Sequence, residues 1–178
     1  TNTKIQQLVI PASVNHITPD TFSGSNRLKY LSIGEGGSAE SANLEVVSLF
    51  NGANYSSLEA IVLGHSVVSA EASFASLPAL KNLIISDSIT SIKSSFSGTQ
   101  LEALFIPNSV TSITSSFNDN PALKMVRIGT KGYQGEPVLA LVVGSFSGTT
   151  QSAVEQIIFG NNVKSIASGV FYSTPNLA

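Results

Sequence analysis

The residues whose types could do chemistry are scattered along this chain, and their spacing assembles no catalytic or metal site. Gly144-Ser145-Phe146-Ser147-Gly148 resembles the turn that presents a nucleophilic serine, but a phenylalanine occupies its central position. His16 and His65 belong to no cluster with metal-ligand spacing. The eleven carboxylates are dispersed, so no general acid/base pair is indicated. We therefore expect a protein that is not an enzyme and that uses no cofactor and no metal.

The composition argues against several classes of partner. The net charge is −2 and no run of like charges occurs, which gives no basis for binding nucleic acid. The longest apolar run, Val138 to Val143, is far shorter than the roughly 20 residues that span a bilayer, so we expect no direct membrane insertion. The chain has no cysteine, which excludes disulfides, thiolate metal sites and cysteine nucleophiles.

A repeating unit runs along the sequence and indicates how the chain is folded. Six-residue runs of the type L-x-x-L-x-I begin at residues 5, 28, 58, 80, 101, 123 and 154, spaced 23, 30, 22, 21, 22 and 31 residues apart. Seven of the nine phenylalanines lie downstream of these runs, at one position of the unit: Phe22, Phe50, Phe74, Phe96, Phe117, Phe146 and Phe171. A period in the low twenties with leucine at fixed offsets predicts a leucine-rich solenoid of about seven coils.

The unit from Leu101 to Phe117 predicts the structure of one coil. Its first six residues alternate, so Leu104 and Ile106 should face the core and Ala103 and Phe105 the opposite side. A corner residue follows, then a short second strand, and then the phenylalanine that fills the far end of the coil. No stretch sustains a 3.6-residue apolar period, so we expect little helix and a mainly β chain about 33 Å long at ~4.8 Å per coil.

The second position of the six-residue runs tests this register independently. Six consecutive coils place charges of alternating sign there, in a chain with only 11% charged residues: Lys29, Glu59, Lys81, Glu102, Lys124 and Glu155. If the coils stack in parallel, these side chains are neighbours and opposite charges attract. The alternation therefore predicts parallel stacking in this register.

The repeats closely resemble those of the BspA-like leucine-rich repeat family, with a unit of the form L-x-x-I-x-I-P-x-S-V-T-S-I-G-x-x-A-F-x-G-C. The segment Ile106-Pro107-Asn108-Ser109-Val110-Thr111-Ser112-Ile113 matches its core almost letter for letter, although the usual cysteine is replaced in every coil. The resemblance implies a right-handed leucine-rich repeat solenoid with a parallel sheet on one face. It also implies a secreted or cell-surface protein, because members of this family include adhesins that bind extracellular-matrix or other surface proteins.

The third and fifth positions of each run face away from the core onto the exposed sheet. There Val62, Ile84 and Phe105 form an unusually apolar stripe, flanked by Tyr30, Met125 and Arg127. We interpret these six residues together, the candidate stripe, as a candidate partner-binding site. Two alternatives stay open, namely that β-branched residues simply favour strands or that another part of a parent protein covers the stripe. The two lengthened coils project Gly-rich segments, and Tyr133 in the second of them is a further candidate contact. The alternative is that these segments are tolerated surface insertions without a binding role.

Residues 1–178 are expected to form a single solenoid. Thr174-Pro175-Asn176-Leu177 repeats the start of another coil, and neither end carries a polar cap, so we expect a segment of a longer protein or self-association through the ends. The leading hypothesis is a non-enzymatic, extracellular or cell-surface module that binds a protein partner through the exposed sheet. One alternative is a structural spacer without a ligand. Another is a hydrolase or lectin, although no carboxylate pair supports that function.

Overall fold

Short parallel strands make up almost all of the regular structure in the computed structural model of the chain, which describes residues 4–38, 42–50, 55–130, 139–141, 145–148 and 153–177. The strands on one face, the front, come from the six-residue runs: β1 (Gln7–Pro11), β2 (Tyr30–Glu35), β4 (Ala60–Leu63), β6 (Asn82–Ile85), β8 (Ala103–Ile106), β10 (Met125–Ile128) and β12 (Gln156–Phe159). Those on the back are β3 (Leu44–Val47), β5 (Val67–Glu71), β7 (Ser91–Lys93), β9 (Ser112–Thr114), β11 (Leu139–Leu141) and β13 (Val163–Ile166). A 3-10 turn spans Pro19–Phe22.

The strands stack in parallel, in the register that the repeat predicts. Tyr30 pairs with Ala60 and Ala60 with Asn82, so equivalent positions of successive coils are neighbours. The back strands form one six-stranded sheet in the order β13-β11-β9-β7-β5-β3. The predicted mainly-β solenoid is therefore confirmed. In the first coil, however, Val14 and Ile17 lie outside any strand, although a second strand was expected there.

The predicted phenylalanine column is the centre of the core. Adjacent rings are stacked with centroids 4.5 to 5.9 Å apart from Phe22 through to Phe171. Phe74, Phe96 and Phe117 are completely buried. Each ring is thus stacked on the rings of the neighbouring coils, so the interfaces between coils make a large contribution to stability.

The backbone that carries these rings is left-handed at residues that are not glycine. Phe74, Phe96 and Phe117 have φ of 62°, 61° and 60°, and a second positive φ occurs two residues before each ring. This conformation costs an L-residue roughly 1–2 kcal/mol. The surrounding packing and hydrogen bonds must offset that cost in each of these coils.

A row of buried serines supplies those hydrogen bonds. The amide of Leu49 donates to the Ser73 hydroxyl at 3.0 Å, that of Ser73 to the Ser95 hydroxyl at 3.2 Å, and that of Ser95 to the Ser116 hydroxyl at 3.3 Å. Each serine hydroxyl in turn donates to the carbonyl two residues earlier in its own coil, at 2.9 Å. The row therefore satisfies buried main-chain groups between coils where no strand pairing does so.

The front face is interrupted between the fourth and fifth coils. Strands β1, β2, β4 and β6 form a four-stranded sheet, and β8, β10 and β12 form a separate three-stranded sheet. Behind this break the back sheet continues, since Ile92 pairs with Ile113, and the rings of Phe96 and Phe117 remain 5.5 Å apart. At this junction the strand pairing is thus lost on the front face and kept on the back.

Two features of the sequence explain the break. Phe96 and Leu101 are separated by four residues, whereas Phe22, Phe74 and Phe117 precede the next leucine by one residue more. The longer connections end in a tight turn, such as the bond from the Leu123 amide to the Asn120 carbonyl at 3.2 Å. At the short connection the amide of Gln100 bonds the Leu80 carbonyl instead, at 2.9 Å. The start of β8 in the fifth coil is therefore not aligned with the start of β6 in the fourth coil.

Pro107 removes a second contact at the same junction. In the neighbouring coils the amide at this position donates to the previous coil, from Ser86 to the Leu63 carbonyl at 3.0 Å and from Gly129 to the Ile106 carbonyl at 2.7 Å. Proline has no amide hydrogen to donate. The shortened connection and the proline act at opposite ends of β8, so both ends of its pairing with β6 are lost.

Candidate functional site

The candidate stripe lies on the front face, and the break divides it into two halves. Tyr30, Val62 and Ile84 belong to the four-stranded sheet, whereas Phe105, Met125 and Arg127 belong to the three-stranded sheet. The sequence suggested a single contiguous stripe. The structure instead presents two apolar patches on either side of an opening.

Ile84 is the most exposed side chain of the first half. It is 61% accessible, whereas Tyr30 and Val62 are half-buried. Ser32, which occupies the same position of its run, is buried and donates a hydrogen bond to the Glu35 carboxylate, although this position was expected to face solvent. The first half is therefore centred on Ile84, at the edge of the opening.

The second half carries an ordered aromatic and cationic group. Phe105 and Met125 are 42% and 41% exposed. The guanidinium carbon of Arg127 lies 5.6 Å from the centre of the Phe105 ring, within the range of a cation–π contact. Arginine and aromatic side chains held in this way are common contributors to protein interfaces.

The opening between the two halves is a cleft of about 500 Å³. It is lined by residues of β6, β8 and the residues that precede them: Lys81, Asn82, Leu83, Ile84, Glu102 and Ala103. Leu83 faces the core in its run but is only half-buried, whereas the equivalent Ile61 and Leu104 are buried. Sequence reasoning missed this cleft. The 21-residue spacing of the fourth and fifth coils was the signal that could have located it.

The charge alternation is realised as an ion pair at one junction. The Lys29 ammonium lies 2.9 Å from the Glu59 carboxylate, with both side chains about half exposed. The other neighbours in this series of charges form no ion pair in the described ranges, neither across the break, between Lys81 and Glu102, nor between paired strands, as for Glu102 and Lys124. Two further pairs escaped the sequence analysis, namely Lys93 with Glu71 on the back sheet at 2.7 Å and His65 with Asp87 at a corner at 3.2 Å.

The side chains that could take part in catalysis or bind a metal do not come together in the structure. Ser145, next to the centre of the elbow-like motif, is buried and donates its hydroxyl hydrogen to the Ile113 carbonyl at 3.0 Å. Among the described residues, no group of three or more His, Asp or Glu side chains could hold a metal ion. No helix in the described ranges is long and apolar enough to cross a membrane.

Tyr133 and most of its Gly-rich segment lie outside the described residues, so that candidate contact stays a prediction. The first coil forms an apolar cavity of about 430 Å³, with Leu8, Ile10, Phe22 and the exposed Ile5 among its lining residues. Self-association through the ends of the solenoid would require apolar surface of this kind. It also stays a prediction.

Comparison with known proteins places this architecture in a family. A family model described as BspA type leucine rich repeat region matches residues 1–124, in six copies. No curated protein matches the chain. The crystal structure of a leucine rich cell surface protein from Faecalibacterium prausnitzii A2-165 is similar in fold, with 18% identity and a TM-score of 0.52; the match covers 97% of this chain and 59% of that one. Since the family model covers more than half of the sequence, the chain belongs to the BspA type leucine-rich repeat family.

Proposed function

We propose that this chain is a non-enzymatic, extracellular or cell-surface module that binds a protein partner through its front face. The observation that carries the proposal is the exposure of Ile84, Phe105 and Met125, three large apolar side chains on one face, beside an Arg127 that is held over an aromatic ring. Apolar surface of this kind with a charged rim is typical of protein-interaction sites. The family and the cell-surface protein of similar fold support the location.

Binding would rest on shape and apolar complementarity across the two patches. Ile84 and the Phe105–Arg127 pair would serve as the central contacts, because they combine exposure with a fixed position on a strand. Tyr30 and Val62 are half-buried and would extend the contact area at its margin. The partner class favoured by the family resemblance is an extracellular-matrix or host surface protein.

The test is binding of the folded chain to a panel of matrix and surface proteins, compared with an Ile84→Asp/Phe105→Asp variant. A matched control carries Val9→Asp/Ile158→Asp, which adds the same charges at the same position of two outer strands, where the side chains are 47% and 37% exposed. We expect saturable binding that is lost in the first variant and kept in the control. Circular dichroism must show the same strand content in all three proteins.

A structural spacer is the second candidate, favoured by the uninterrupted back sheet and phenylalanine column. Such a rod could present another domain without binding anything itself. Failure of the unaltered chain to bind any member of the panel would support this alternative. Equal loss of binding in both charge variants would mean that the front face contributes only through its overall charge, and would contradict the proposed site.

A further inference from the structure

We propose that Arg127 selects the protein partner by binding the carboxylate of an aspartate or glutamate that stands next to an apolar side chain. This inference rests on the proposed function, and it names the chemistry of the surface that the second half of the candidate stripe recognises. The guanidinium would donate paired hydrogen bonds to the carboxylate, and the apolar side chain beside it would cover Phe105 or Met125.

Arg127 has no counter-charge on the front face. It is exposed and lies on β10, the middle strand of the three-stranded sheet. The side chains around it on the exposed face are all uncharged: Phe105, Ile158, Ala103, Met125 and Gln156. Glu102 and Glu155 stand three residues earlier in the neighbouring runs, about 10 Å away along the strands. No carboxylate in the described ranges lies within ion-pair distance of Arg127.

A partner that covers the second half of the stripe must also cover this guanidinium. Its carbon lies 5.6 Å from the centre of the Phe105 ring, and Phe105 and Met125 are the exposed apolar surface beside it. An arginine that is taken out of water without a partner strongly opposes binding. The partner must therefore supply acceptors for the N–H groups, and the two oxygens of a carboxylate match the fork of a guanidinium.

The charges of the adjacent coils favour one isolated carboxylate over a polyanion. Glu102 and Glu155 flank Lys124 at the second position of their runs, and all three side chains are exposed. A nucleic acid or a sulfated polysaccharide carries repeated negative charges, which Glu102 and Glu155 would repel. A protein surface, in contrast, can place a single carboxylate among apolar side chains.

Three variants at residue 127 isolate the proposed contact. Arg127→Gln removes the charge, Arg127→Lys keeps the charge but loses the planar fork, and Arg127→Glu reverses the charge. Lys124→Gln is the matched control, because it removes one exposed positive charge from the same coil and breaks no ion pair in the described ranges. Circular dichroism must show the same strand content in all of these proteins.

The experiment selects a phage-displayed library of random peptides in parallel on the unaltered chain and on Arg127→Glu. We expect peptides from the unaltered chain to be enriched in Asp or Glu next to an aromatic or aliphatic residue. Peptides from Arg127→Glu should carry Lys or Arg instead of the acidic residue.

The selected acidic peptides are then remade and their affinities measured. Binding should weaken by about tenfold or more with Arg127→Gln, the factor expected when hydrogen bonds to a charged group are lost. It should weaken less with Arg127→Lys and stay unchanged with Lys124→Gln. A selection without acidic enrichment, or an equal loss with Lys124→Gln, would overturn the proposal. So would saturable binding of heparin that Arg127→Gln abolishes, because it would assign Arg127 to a polyanion.

The panel of matrix and surface proteins separates this proposal from the broader one. If a panel protein fails to bind Ile84→Asp/Phe105→Asp but binds Arg127→Gln normally, the front face is the site and the carboxylate contact is wrong. If both variants lose binding while the Val9→Asp/Ile158→Asp control keeps it, both proposals are supported. Residue 158 is on β12, on the other side of β10 from the Phe105 ring, so the aspartate of that control does not face the guanidinium.

Discussion

Removing one hydroxyl from the row of buried serines should destabilise the whole chain. In Ser95→Ala the buried Ser73 amide loses its acceptor at 3.2 Å, and the carbonyl of Lys93 loses a donor at 2.9 Å. Leaving a buried amide without a partner costs about 1–3 kcal/mol, since water cannot replace the lost bond. The loss of the Ser95 side-chain volume is small, so the hydrogen bonds should account for most of the change.

Urea unfolding followed by circular dichroism measures this cost. With a dependence of about 2 kcal/mol per molar urea, a loss of 1–3 kcal/mol lowers the midpoint by roughly 0.5–1.5 M. Ser97→Ala is the matched control, because Ser97 is half-buried and takes no part in the serine row; its effect should stay within about 0.5 kcal/mol. Equal midpoints for the two variants would refute the reasoning, since the serine row would then contribute nothing to stability.

Three further predictions address the core, a corner and the surface. Phe96→Ala removes a fully buried ring and should cost about 3–5 kcal/mol in urea unfolding, against less than half of that for exposed Phe105→Ala. Gly129→Ala should lower the free energy of unfolding by more than about 1 kcal/mol, because φ is 71° there and an added methyl would collide with a neighbouring side chain; no change would refute the collision. A double-mutant cycle on Lys29 and Glu59 should give a coupling of about 0.2–1 kcal/mol that fades in 1 M salt, and a salt-independent coupling would contradict an exposed ion pair.

The sequence alone was sufficient to predict the stacking of the coils. The recurrence of phenylalanine at one position and the alternating charges at another both depend on parallel stacking, and the observed pairing of Tyr30 with Ala60 and of Ala60 with Asn82 follows that register. These features repeat, so each coil provided an independent check. The family resemblance added the expectation of a cell-surface role but no ligand.

The break in the front face was not predicted, because it depends on a single missing residue. The sequence shows the missing residue between Phe96 and Leu101, but it does not show whether the front strands still pair across the shortened connection. Only the geometry shows that the change is absorbed before β8, where the bond from Gln100 to Leu80 replaces a turn. The burial of Ser32 was missed for a similar reason, since its hydrogen bond to Glu35 depends on the path of the chain at the end of β2.

The interrupted front face also governs how cooperatively the molecule unfolds. In a repeat protein the total stability is approximately the sum of a term for each repeat and a coupling term for each pair of neighbours. The fourth and fifth coils keep the pairing of Ile92 with Ile113 and the contact of Phe96 with Phe117, but they lack the front pairing that both adjacent junctions have. Their coupling term is therefore weaker than those on either side. We therefore expect two cooperative blocks joined by the back sheet and the phenylalanine column, and we expect fraying that starts in the last coils to stop at this junction before it reaches the first four coils.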